Sequence, residues 1–95
     1  MLLNKVKLAL RKTAAIFDSE VEDYINSGIA DLRFVGIIVP EDRGPSSETL
    51  GDPLLDRAII LYAKSEDNFN GEAERYRKAY DHLKCALSLG GDYHG

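Results

Sequence analysis

Asp52-Pro53 opens a stretch whose apolar residues, Leu54, Leu55, Ala58, Ile59, Ile60, Leu61, Tyr62 and Ala63, occupy most of a helical circumference rather than one stripe. A helix apolar on nearly every side is stable only when other elements cover it, so this stretch belongs at the centre of the fold. Its start is sharply marked. An aspartate at the capping position accepts a hydrogen bond from an orphan amide, and proline at the first helical position has no amide to leave unpaired.

The segment that follows supplies part of the cover. Ser65 to Asn68 turns polar, Asn70-Gly71 marks a short break, and Ala73, Tyr76, Tyr80, Leu83 and Leu87 then recur at heptad spacing. Glu74 and Lys78 form a favourable i,i+4 pair on the outer side, and Gly90-Gly91 supplies the stop. Two helices joined by so few residues pack antiparallel. The expected core is Leu54, Ala58, Ile59, Tyr62, Tyr76, Tyr80, Leu83 and Leu87, with Asp52 as the helix cap.

Upstream, Leu2, Leu3, Val6, Ala9 and Leu10 share one side of a short helix, with Lys5, Lys7, Arg11 and Lys12 reading as its solvated face rather than a nucleic-acid patch. Ser19 followed by Glu22 has the form of a capping box for a second helix running to about Phe34. Phe17, Val21, Tyr24, Ile25, Ile29 and Leu32 form its apolar stripe, and Gly28 within that stripe predicts a close helix crossing. The pattern over residues 1–95 is therefore a single all-α domain, a small bundle of about four helices: two N-terminal helices, a long loop and an antiparallel C-terminal pair.

The long loop spans Val35 to Gly51, where Gly36, Pro40, Gly44, Pro45, Ser46, Ser47 and Gly51 abolish any helical period. A connection of this length in a compact domain is uncommon unless it is functional or disordered. Within it, Ile37, Ile38 and Val39 either form an extended edge able to pair with a neighbouring copy or tuck beneath the loop.

Ninety-five residues allow one core, and 44% hydrophobic with 29% charged residues is the balance of a globular chain. No window approaches the run of about twenty apolar residues that a membrane span requires, and no signal-peptide pattern opens the chain. A single cysteine, Cys85, rules out an intrachain disulfide and suits a reducing compartment. A net charge of -4 argues against tight binding to a nucleic-acid backbone, which depends on Lys and Arg displacing counterions.

Sites for chemistry are sparse. His82 and Cys85 stand three apart, near Asp81 and ahead of Asp92 and His94, which falls short of the well-spaced ligand set of a structural zinc. The same pair lacks a pocket and oxyanion donors for nucleophilic catalysis, and Cys85 reads as a small, at least half-buried apolar residue. No phosphate-binding glycine motif is present. The expectation is no enzyme, no metal and no cofactor.

The order and spacing of Asp52-Pro53, Ile59-Ile60-Leu61-Tyr62-Ala63-Lys64, Glu74-Arg75-Tyr76, Tyr80-Asp81-His82-Leu83-Lys84 and Leu87-Ser88-Leu89, with Val6 to Arg11 and Phe17-Asp18 ahead of them, resembles the small head-tail connector (adaptor) proteins of long-tailed phages, also called phage DNA-packaging proteins. The stretch Ser65-Glu66-Asp67-Asn68 is longer and more acidic than the family pattern. The resemblance implies a structural virion protein, with about twelve copies in a ring below the portal that binds the portal and a stopper or tail-completion protein. DNA would pass through without specific binding, at the head-tail junction of a virion assembled in the host cytoplasm. Ile37, Ile38, Val39 and the tail residue Tyr93 are the candidate interface residues. The alternative is a small helical regulatory or adaptor module that dimerises through the seam of the last helix and binds a protein partner.

Replacing Asp52 by Ala removes the cap of the central helix and is expected to cost about 1 kcal/mol of stability, with no specific effect on assembly. A thermal melt equal to that of the parent would take Asp52 out of the capping role.

Overall fold

The central apolar helix finds neighbours on several sides. In the computed structural model, which describes residues 1–90, the chain forms α1 (Leu2–Leu10), α2 (Asp18–Phe34), α3 (Pro53–Glu66) and α4 (Ala73–Leu89), with short 3-10 turns at Ala15–Phe17 and Phe69–Gly71. Helices α1, α2 and α4 all pack on α3. The fold is all-α, as the periodicity requires.

Side-chain pairs fix the helix directions. Lys5 on α1 lies 3.6 Å from Asp56 near the start of α3, and Lys12 just past α1 reaches Asp67 just past α3, so these two helices run parallel. Tyr24, early in α2, donates to Asp67, whereas Gly28, further along, faces Ile59 and Tyr62, so α2 runs the other way. Arg77 pairs with Glu66 at 2.8 Å across the following turn, and Tyr80 meets Tyr62 edge-on at 5.3 Å, which makes α4 antiparallel to α3. The result is an up-down-up-down arrangement. The 35–52 connection, the ends of α2 and α4 and the start of α3 therefore gather at one end of the bundle.

Asp52 caps α3 as expected: its backbone is extended and its Oδ1 accepts from the Leu54 amide at 2.7 Å. Ala58, Ile59, Tyr62, Tyr80 and Leu87 are buried, while Tyr76 and Leu83 are half-buried. Leu54 departs from the expected core, being 43% exposed. It sits in the first turn, ahead of the point where neighbouring helices close over α3, and Leu55 takes the inward position. Much of the core comes from the N-terminal half, with Leu2, Val6, Val21, Ile25 and Leu32 fully covered.

The expected capping box does not form. Helix α2 begins at Asp18 with Phe17 at the capping position and no side-chain cap. The chain enters α2 through the preceding 3-10 turn, and the Asp18 carboxylate pairs with the ammonium of Lys7, leaving Ser19 exposed. An anionic first turn of this kind also complements the helix dipole. The α3–α4 turn relies on left-handed backbone at Asn68 (φ 51°), Asn70 (φ 56°) and Gly71 (φ 71°), residue types that adopt it most readily. Asn68 Oδ1 then accepts from the Ala73 amide at 3.2 Å and covers the start of α4.

Gly28 marks the predicted crossing, made against side chains of α3. A Cβ there would lie 2.9 Å from Ile59 Cδ1 and 3.1 Å from the Tyr62 ring. Gly28→Val is therefore expected to destabilise by about 1–3 kcal/mol through overpacking, read as a lowered denaturant midpoint. A midpoint equal to the parent's would mean that α2 and α3 stand further apart.

Helices α2 and α4 are joined by one polar cluster: Asp31 accepts from the Tyr80 hydroxyl at 2.5 Å and from Lys84 at 3.0 Å. Burial pushes the Tyr80 phenol up, with Asp31 adding to it. Partial burial opposes ionisation of Asp31, yet the Tyr80 and Lys84 hydrogen bonds outweigh it and hold the carboxyl below its ordinary value. A depressed carboxyl contributes stability that is present above its unfolded pKa of about 4 and lost as pH falls through the folded value. In acid titrations of melting temperature, the gap between parent and Asp31→Asn is expected to narrow below about pH 4. Parallel curves throughout the acid range would contradict this linkage.

Candidate functional site

The N-terminal cations are the first surface to weigh, and the fold uses them internally. Lys7 pairs with Asp18, Lys12 with Glu20 at 2.7 Å and with Asp67 at 2.5 Å, and Lys5 approaches Asp56. The Arg11 guanidinium lies over the Phe69 ring, 5.8 Å from its centre. Lys7 is nearly fully buried. This corrects the reading of a solvated basic face for Lys7 and Lys12, which are buried and half-buried against carboxylates of neighbouring elements, while Lys5 and Arg11 remain exposed as that reading has them.

Around Lys12 the pairing extends into a small network. Tyr24 donates to Glu20 at 2.9 Å and to Asp67 at 3.2 Å. The Asp67 and Glu20 hydrogen bonds raise the Lys12 ammonium, the Lys12 and Tyr24 hydrogen bonds lower the Glu20 carboxyl, and burial followed by the Glu20 hydrogen bond raises the Tyr24 phenol. All three groups keep their usual charge state near neutral pH. The network acts as a clasp between α1, α2 and the end of α3, with no proton poised for transfer.

The residues considered for metal or nucleophilic chemistry stay apart from any site. His82 is exposed on α4, and so is Cys85, contrary to the expected burial. The side of α4 that meets the core carries Tyr80, Leu83 and Leu87, and Cys85, two residues before Leu87, points about 160° away from it. Among the described residues no three His, Cys, Asp or Glu side chains group as metal ligands. Among the described residues no helix is long and apolar enough to cross a membrane. Asp92, Tyr93 and His94 lie outside the described residues.

The opposite end of the bundle presents apolar side chains to solvent. Phe34 is 89% exposed, Leu89 82%, and Ile38 and Leu54 about half. Phe34 ends α2, Leu54 is in the first turn of α3 and Leu89 ends α4, so the antiparallel packing brings them to the end that also holds the long connection. Ile37 and Val39, expected as interface residues, are instead buried, because an extended backbone alternates sides and turns both inward while Ile38 faces out. The sequence assigns no interface role to Phe34 or Leu89. The available signal was that Phe34 lies two residues past Leu32 and so falls off the α2 stripe.

This end is held in a defined shape. The Arg33 guanidinium donates to the Val39 and Pro40 carbonyls, the latter at 2.8 Å. The Leu2 and Leu3 amides donate to the Ser47 and Pro45 carbonyls at 2.6 and 2.9 Å, so the connection covers the start of α1. Buried Asp56 accepts from Thr49 Oγ1 at 2.5 Å and the Leu50 amide at 2.8 Å. An ordered, exposed apolar end of this kind is suited to docking a protein.

A family model described as phage connector protein matches residues 2–94. No curated protein and no solved structure gives a significant match. With nearly its whole length covered by that match, the chain belongs to the phage connector protein family.

Proposed function

We propose that this protein is a structural component of the virion that forms a ring below the portal and connects the DNA-filled head to the tail or stopper. The observation that carries the reading is the ordered apolar end formed by Phe34, Ile38, Leu54 and Leu89, which is left exposed among the described residues. Portal and stopper or tail-completion proteins are the partners this role requires, at the head-tail junction of a virion assembled in the host cytoplasm. Residues 1–95 act as one domain in it.

The charge distribution supports a conduit that does not hold DNA. Three of the four N-terminal cations are committed to carboxylates, and the chain carries a net charge of -4. Tight backbone binding needs free cations, so passing DNA would meet no strong site on this cluster. Family membership is that of structural, non-enzymatic proteins. The alternative of a dimer formed through the α4 seam loses its main support, because Tyr80 and Leu87 of that seam are buried within the protomer.

Phe34→Ser combined with Leu89→Ser is expected to leave helicity and melting nearly unchanged, since both side chains are exposed, but to lower occupancy on portal-bearing heads about tenfold. Parental occupancy by a folded double variant would remove the apolar end as the docking element.

A further inference from the structure

Two other faces of the protomer, on opposite sides, complement one another. Between α1 and α3 runs a groove of about 390 Å³ with Ile60 and Leu61 on its floor and Lys5, Arg57 and Lys64 around it. Arg57 makes no ion pair among the described residues, and Lys64 is placed by the rings of Phe69 and Tyr76, at 5.1 and 5.3 Å, rather than by a carboxylate. The acid in the groove, Asp56, is buried, accepts from Thr49 and Leu50 and offsets Lys5, so the charge left accessible on the rim is that of Arg57 and Lys64.

The outer side of α2 has the opposite character. Glu22 and Asp23 are exposed and unpaired among the described residues, beside Glu20, and Ile16 stands 84% exposed next to them. Here an apolar knob is ringed by carboxylates, whereas on α3 an apolar floor is ringed by cations.

The two faces point away from each other. Ile59 and Tyr62 of α3 meet Gly28 of α2, and at about 100° per residue Arg57, Ile60, Leu61 and Lys64 turn to the far side of α3. Val21 and Ile25 of α2 face inward, so Glu22, Asp23 and Asn26 face outward. A surface and its complement on opposite sides of one molecule produce a head-to-tail contact, which closes into a ring when its rotation permits.

We propose that the groove between α1 and α3 receives the Ile16–Asp23 face of a second copy of this chain, with Ile16 against Ile60 and Leu61 and with Glu22 and Asp23 against Arg57 and Lys64. The inference rests on the ring reading above and specifies which surfaces meet. Opposed rim charges fix register and reject misaligned contacts, while the apolar insertion excludes water between them.

The test uses Arg57→Glu and Glu22→Arg in the full chain, both at exposed positions. Self-association is followed by sedimentation and by cooperative loading onto portal-bearing heads. Each variant alone places like charges together and is expected to weaken association about tenfold or more. Mixed in equal amounts, the two variants alternate with restored charge pairing and are expected to regain parental association, as is a chain carrying both changes. Added salt is expected to weaken the parent's contact. If the parent assembles but the single variants match it, or the mixture stays as weak as its components, the paired faces are wrong and the ring reading stands. A parent that remains monomeric at millimolar concentration and loads onto heads without cooperativity would overturn both.

Discussion

The Asp56 carboxylate ties the long connection and α1 to the central helix at one point. It is on the central helix and is almost completely buried, so its charge must be compensated where it stands. Thr49 and Leu50 supply hydrogen bonds from the end of the long connection, and Lys5 on α1 supplies a cation at 3.6 Å. Two segments, the end of the connection and α1, are thereby fixed relative to α3. Beside that anchor the connection also grips the core through Leu50, which is fully buried, and covers the first amides of α1. Removing such a carboxylate partner leaves buried donors unsatisfied, a larger penalty than the net worth of the bonds themselves.

What was legible in the sequence is what neighbouring residues decide. The Asp52-Pro53 start is local chemistry, and the apolar circumference of α3 follows from composition alone, so both could be read without a structure. Gly28 was legible as a close approach, although its partners, Ile59 and Tyr62, were not. The failures are non-local. Ser19 and Glu22 satisfy the pattern of a capping box, but Lys7 binds Asp18 from eleven residues away and a 3-10 turn fixes the entry to α2 first. Lys12 looks solvent-facing until Asp67, fifty-five residues later, is brought beside it. Periodicity also has no means of distinguishing an unstructured loop from one held by Arg33 and Asp56. For the same reason periodicity leaves Ile37 and Val39 available and gives Phe34 and Leu89 no surface role.

Charge in this protein is sorted by location rather than by sequence run. The cations near the N-terminus serve as internal ties, those on the outer side of α3 remain available, and excess acid collects on the outer side of α2. The proposed role asks this protein to join others firmly while letting a polyanion pass. Those demands are compatible where lysine and arginine are neutralised inside the protomer, as Lys7 and Lys12 are, or taken up in the proposed contact between copies, as Arg57 and Lys64 would be.

The wiring of the bundle also sets an order of events. Helices α3 and α4 are joined by only the residues between Glu66 and Ala73, so their contacts are local and close quickly. Docking α1 and α2 requires closing the much longer connection from Phe34 to Pro53, whose entropic cost is recovered only when Asp56, Leu50 and the α1 amides engage together. On this wiring the C-terminal hairpin is expected to form first and the N-terminal half to dock after it. Because Ile16 and the acidic side of α2 belong to that late half, only a fully folded copy presents both halves of the proposed contact, so partly folded chains would be excluded from a growing assembly.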